Sequence, residues 1–144
     1  MSIEAFVFFS GPLPSAQAVN EAMRQLKLDF AIQDTNYDFG TSGFVPMTYR
    51  VGDDETPTGT EVLQGLAKEL VDILATKGID LNFDHYISFR WGSDFLEGAC
   101  SLALAAAVAT LTGGMIWEDA GGDVLSIEDV VSGCLAMAPL GMQQ

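Results

Sequence analysis

The stretch Phe30–Val51 reads Phe-Ala-Ile-Gln-Asp-Thr-Asn-Tyr-Asp-Phe-Gly-Thr-Ser-Gly-Phe-Val-Pro-Met-Thr-Tyr-Arg-Val, and its parsing decides the fold. Phe30–Gln33 predicts a short strand and Phe44–Val51 another, with a dense cluster of Asp, Asn, Gly and Ser from Asp34 to Gly43 between them. Parallel neighbours need a crossover, usually a helix, and this connection contains none. Antiparallel pairing is therefore expected, and with it an α+β domain instead of a doubly wound parallel sheet. Pro46 cannot donate to a ladder, which moves the second strand toward an edge position.

Working outward, Ile3–Phe9 is apolar on both alternating faces, as a central strand covered above and below would be. Ser15 is placed to cap a helix running to about Leu26, with Ala18, Ala22 and Leu26 on its stripe. Gly52–Gly59 reads as an acidic loop. Thr58 and Glu61 then have the spacing of a capping box, opening a helix from about Gly59 to Thr76 with Lys77-Gly78 as its stop. Tyr86–Trp91 alternates as a strand, placing Tyr86, Ser88 and Arg90 on one face. Asp94 and Glu97 open an alanine-rich helix to Leu111, apolar nearly all round and so expected inside the domain. Met115–Trp117 predicts a short strand, Ala120–Asp123 a turn, and Ser126–Asp129 the start of a last helix to about Met137. The expectation is one domain spanning residues 1–144, with a single mixed, mainly antiparallel sheet of about five strands packed by four helices.

The chain has 144 residues, 49% of them apolar, with 20 acidic side chains against 6 Lys plus Arg and a formal net charge of -14. The apolar content excludes a disordered chain. The charge argues against nucleic-acid binding, which relies on basic residues to displace counterions from phosphate. The longest apolar stretch, Ala99–Leu111, falls short of the roughly 17–25 residues of a membrane span. Glu4 interrupts the N-terminal apolar run, and no Lys or Arg precedes Arg24, unlike a secretory signal. Cys100 and Cys134 read as small buried side chains. A cytoplasmic protein with no membrane contact is expected.

Tests for chemistry give no catalytic residue, no metal ligand set and no cofactor. Asp34, Asn36 and Asp38 begin like a calcium loop, but Phe39 stands where the loop needs glycine and Val45 where it needs glutamate. A turn closed by Asx hydrogen bonds is the expectation there. Only one histidine, His85, is present, and no serine has a nucleophile-elbow context. Pro12 and Pro14 remove donors from the one strand-to-helix turn where a phosphate cradle would lie.

Charge is the remaining signal. No Lys or Arg occurs from Trp91 to Gln144, while Asp53-Asp54-Glu55 and the Asp34/Asp38 loop concentrate negative charge in predicted loops. A surface complementary to a basic protein would raise the on-rate and select the partner. The expected contact residues are Asp34, Tyr37 and Asp38, then Asp53, Asp54 and Glu55, and finally Trp117, Glu118 and Asp119, since interface cores favour aromatics. The run Phe89-Arg-Trp-Gly-Ser-Asp, the alanine-rich helix, Leu111-Thr-Gly-Gly-Met-Ile-Trp-Glu-Asp and Leu125-Ser-Ile-Glu-Asp together resemble the tail of small bacterial α+β proteins. Several of those are immunity proteins encoded beside polymorphic or contact-dependent toxins. The resemblance covers residues 86–131 and implies a protein that performs no chemistry and occludes the active surface of a cognate toxin, often a basic nuclease. The alternative is a small enzyme or anionic-ligand-binding domain with a pocket near Arg90, joined by Tyr86 and His85.

Overall fold

The computed structural model describes residues 2–144. In chain order the elements are β1 (Ile3–Phe9), α1 (Ala16–Gln25), β2 (Phe30–Ile32), β3 (Gly43–Val51), β4 (Asp54–Leu66), α2 (Val71–Ala75) after a 3-10 turn at Ala67–Glu69, β5 (His85–Trp91), α3 (Phe95–Thr112), β6 (Met115–Glu118), β7 (Asp123–Leu125) and α4 (Ile127–Gly141). Seven strands form one sheet in the order β2-β3-β4-β5-β1-β6-β7, with every neighbouring pair antiparallel.

The α+β class, the antiparallel sheet and the four α-helices agree with the sequence, but the strand count is seven where about five were expected. The largest departure lies between residues 52 and 76. Gly52–Gly59 is not a loop, and of the expected helix Gly59–Thr76 only Val71–Ala75 is α-helical: β3 and β4 make a long hairpin, in register from Val51↔Asp54 to Gly43↔Val62. The two-residue turn Gly52-Asp53 closes it, with Gly52 at φ +60°, which suits the first central position of a type II′ turn. Thr56, Thr58, Thr60 and Val62 alternate as a β-branched row, and glycine in a helix interior costs about 1 kcal/mol, so Gly59 and Gly65 count twice against the helix. Both glycines lie under aromatic rings, Gly59 beneath Phe44 and Gly65 beneath Tyr86, where a Cβ would collide with the ring. The other additional strand, β7, is three residues that pair with β6 across the turn after Glu118. Pro46 is not at an edge: β3 has neighbours on both sides, but β2 pairs only with Met47–Tyr49, so the missing donor breaks no ladder bond.

One face of the sheet carries Ala5, Val7, Phe9, Val45, Met47, Val62, Ile87 and Phe89, all buried against α1, α3 and α4. Helix α3 is enclosed on every side, with Ala103, Ala105, Ala106 and Ala107 fully buried. Small side chains let sheet and helices approach it closely from several directions, so its length and apolarity serve the core. Asp94 caps it by accepting from the N–H groups of Leu96 (2.8 Å) and Glu97 (3.2 Å), and Gly113 at φ +68° ends it. Helix α4 runs four residues beyond Met137, to Gly141, with Pro139 inside it.

The other face is covered only over β1, β5 and β6. There Phe6, Phe8, Trp117, Ala67 and Leu74 form a second, smaller cluster under the 67–83 segment. Phe6 makes tilted ring contacts with Tyr86 and Trp117, both at 5.4 Å between centroids. Over β3 and β4 this face is open, and Phe44 stands 56% exposed on it.

Candidate functional site

Beyond Glu61, whose strand partner is Arg90, strand β4 has no strand neighbour on its β5 side among the described residues, because β5 stops at Trp91. Asp54 lies seven residues further along, so the hairpin projects roughly 20 Å past the end of β5. Its tip carries Asp53, Asp54 and Glu55, all exposed. Glu55 is paired with Arg50 at 2.5 Å, while Asp53 and Asp54 have no ion-pair partner among the described residues.

Register separates the three groups of expected contact residues. The hairpin tip is at one end of the sheet. Asp34, Tyr37 and Asp38 connect β2 to β3 at the opposite end, where Gln64 ties the loop down by donating to the carbonyls of Phe39 and Thr41. Asp34 accepts from the N–H of Asn36 (2.9 Å) and Asp38 from that of Gly40 (2.8 Å), the Asx turns expected of this sequence. The Tyr37 hydroxyl donates to the Thr41 carbonyl (2.8 Å), and burial, assisted by Asp38, pushes its pKa up. This loop therefore uses its polar groups on itself.

Glu118 and Asp119 share the hairpin's end of the sheet, but the β6–β7 turn lies three strand spacings from β4, roughly 14 Å. Glu118 accepts from Ala120 and Gly121, and Asp119 from the N–H of Glu4 (2.9 Å). Trp117 is 5% exposed and packed in the smaller cluster, so it is not available as a surface anchor. The reason is strand parity: Trp117 faces Phe6 across the ladder, on the side covered by the 67–83 segment. A single continuous acidic face is thus not formed; the hairpin overhangs the end of β5 on its β4 side, while its β3 side is held by β2 up to Arg50.

The alternative pocket is also divided. Arg90, Ser88 and Tyr86 share a strand face, as expected, but Arg90 sits between Glu4 and Glu61 on the flanking strands. It pairs with Glu4 at 3.3 Å, and Ser88 donates to the other oxygen of that carboxylate. Arg90 lines a notch of about 290 Å³ at the end of β5, together with Phe44, Thr60, Glu61, Trp91 and Glu97. Burial and the neighbouring Asp94 and Glu61 raise the Glu97 pKa. His85 and Tyr86 line a different cavity of about 230 Å³ at the other end of β5, where the His85 ring lies against Phe9 (5.7 Å). The three residues do not converge on one ligand site.

Sequence reasoning missed Phe44, Thr60 and Glu61 because it placed Thr60 and Glu61 on a helix. The signal that would have found them is Val51-Gly-Asp-Asp54, a two-residue hairpin turn with glycine leading, flanked by alternating threonines. Cys100 and Cys134 are buried, and burial drives both thiol pKa values up, Cys134 to about 12. No group of three or more His, Cys, Asp or Glu among the described residues is arranged to hold a metal ion. Comparison of the chain with family models, curated proteins and solved structures returns no match.

Proposed function

We propose that this chain is a binding protein of the immunity kind, which neutralises a basic bacterial toxin in the cytoplasm by covering its active surface. The observation that carries the reading is the projecting β3–β4 hairpin, with Asp53, Asp54 and Glu55 at its tip and Phe44 exposed at its base. Two carboxylates without counter-ions on an extended arm repel each other and cost fold stability, which binding to a cationic surface would offset. An exposed aromatic at the base of the same hairpin, Phe44, supplies the apolar anchor that charge alone lacks. The resemblance of residues 86–131 to immunity-protein tails supports the choice of partner.

The test is a low-salt pull-down from the native cell on immobilised protein, run beside the variant D53N/D54N/E55Q. The expected result is one basic protein, retained stoichiometrically, whose toxic activity is blocked in the complex. Its affinity should fall as NaCl rises toward ~0.5 M and be at least roughly tenfold weaker for the variant. A retained protein whose binding ignores both salt and variant would overturn the reading, as would recovery of no basic protein.

A further inference from the structure

We infer that the partner docks by strand addition: an extended, cationic segment pairs with the exposed edge of β4 from Glu55 to Pro57, along the line that β5 leaves vacant after Trp91. This rests on the reading of the chain as a binder of a basic protein and specifies how contact is made.

Hydrogen bonds on the far side of β3 fix which backbone groups are free. Arg50 N–H donates to the Asp29 carbonyl (2.9 Å), and Gln33 N–H donates to the Pro46 carbonyl (3.3 Å), so Arg50 and Pro46 turn their backbone toward β2. By alternation Val45, Met47, Tyr49 and Val51 face β4, and their partners Thr60, Thr58, Thr56 and Asp54 face back toward them. Glu55, Pro57 and Gly59 therefore aim their backbone the other way, where the ladder to β5 ends at Glu61↔Arg90. The exposed edge presents the N–H group of Glu55 and the carbonyls of Glu55 and Pro57, while Gly59 at its inner end is buried beneath the Phe44 ring. Such a row is a template for an added strand, and Pro57 withholds one donor, which restricts it to a short segment.

The surroundings select the occupant. Asp53, Asp54 and Glu55 flank the outer end of this line; Glu61 and Glu97 flank the inner end beside the notch. A second copy of this chain, adding edge to edge, would bring its own Asp54 and Glu55 against these and be repelled. A segment alternating cationic and apolar residues meets opposite charge along the edge and an apolar platform at Phe44, whose ring lies across Gly59.

The probe is a capped peptide of alternating Lys and Val, about eight residues long to match a short strand, titrated into the full chain at low salt. A version N-methylated at every residue keeps the charge and removes the donors. Strand addition predicts that the N-methylated peptide binds at least roughly tenfold more weakly. It also predicts that amide exchange at Glu55 slows at least roughly tenfold on binding, while Thr56 and Thr58, already paired to β3, do not change. Among variants that retain the native circular dichroism, Glu55→Pro, which removes an outward donor, should bind more weakly than Glu55→Gln, which removes only charge. Equal binding of the two peptides with an unprotected Glu55 amide would overturn strand addition and leave salt-sensitive acidic docking standing. Failure of both peptides, while a basic protein is still retained in the pull-down, would likewise overturn strand addition alone; failure of both experiments would remove the binding reading as well.

Discussion

Asn20 closes one margin of the sheet by acting as a strand to Ile32. From α1, its side-chain oxygen accepts from the Ile32 N–H at 2.8 Å and its amide nitrogen donates to the Ile32 carbonyl at 3.2 Å, with the asparagine buried. At β2, then, the sheet is sealed by a helix, whereas at the outer half of β4 it is left open. Asn20→Ala leaves a donor and an acceptor without partners and should cost about 1–3 kcal/mol of stability. Asn20→Asp buries a carboxylate with one oxygen against the Ile32 carbonyl and should cost at least as much as alanine near neutral pH. Urea denaturation of the three proteins, with the slope unchanged, measures this.

Gly141 lets the end of α4 cross directly over the first turn of α3; a Cβ there would strike the backbone of Leu96. Gly141→Ala must push backbone apart, and about 1–3 kcal/mol of destabilisation is expected, as for other overpacked contacts. Gly113→Ala meets no neighbouring atom but must adopt φ +68°, so its cost should be nearer 1 kcal/mol. Thermal melts that rank the two in reverse would contradict this packing.

The raised pKa of Glu97 sets a pH dependence. Burial, Asp94 and Glu61 favour the neutral acid in the folded state, so the folded protein holds this proton more tightly than the unfolded chain. The contribution of Glu97 to stability is therefore favourable below the ordinary glutamate range and lost as pH rises through it. Glu97→Gln should be more stable than wild type near pH 7, and the advantage should shrink toward pH 4. Denaturation midpoints at the two pH values give the comparison; an advantage that grows on acidification would contradict the sign.

Burial holds the thiols of Cys100 and Cys134 in the protonated form, which is not the nucleophile. In native buffer near pH 8 both should resist alkylation, then react completely in denaturant. Fast native labelling of either would show that the helical layer opens on the timescale of the reagent.

Where one signal dominated, the sequence was readable. Ile3–Phe9 declares a central strand because nothing polar interrupts it but Glu4, and Asp94, Ser126 and Ser15 mark true helix starts by chemistry that works locally. The 54–66 segment misled because Val62, Leu63, Leu66 and Leu70 fit helical spacing, whereas the alternation of Thr56, Thr58 and Thr60 is carried by half-polar side chains. Tertiary partners settle that contest: Thr60 donates to the Arg90 carbonyl at 3.0 Å and takes a hydrogen bond from Ser101. The candidate site suffered most, since charge in a sequence says how many carboxylates exist and nothing about which end of the sheet each occupies. Trp117 is the plain example: next to Glu118-Asp119 in the chain, yet folded inward.

The strand order has a consequence for how the chain is made. Strand β1, made before the other six, finds its ladder partners only in β5 and β6, from Phe9↔His85 to Ala5↔Glu118. Until the second half of the polypeptide emerges, its five phenylalanine-rich residues from Ala5 to Phe9 have no sheet to join. Folding of the sheet is thereby deferred until β5 and β6 are made, with a long-range closure as its slow event and a sticky nascent strand that holdase chaperones would recognise in the meantime.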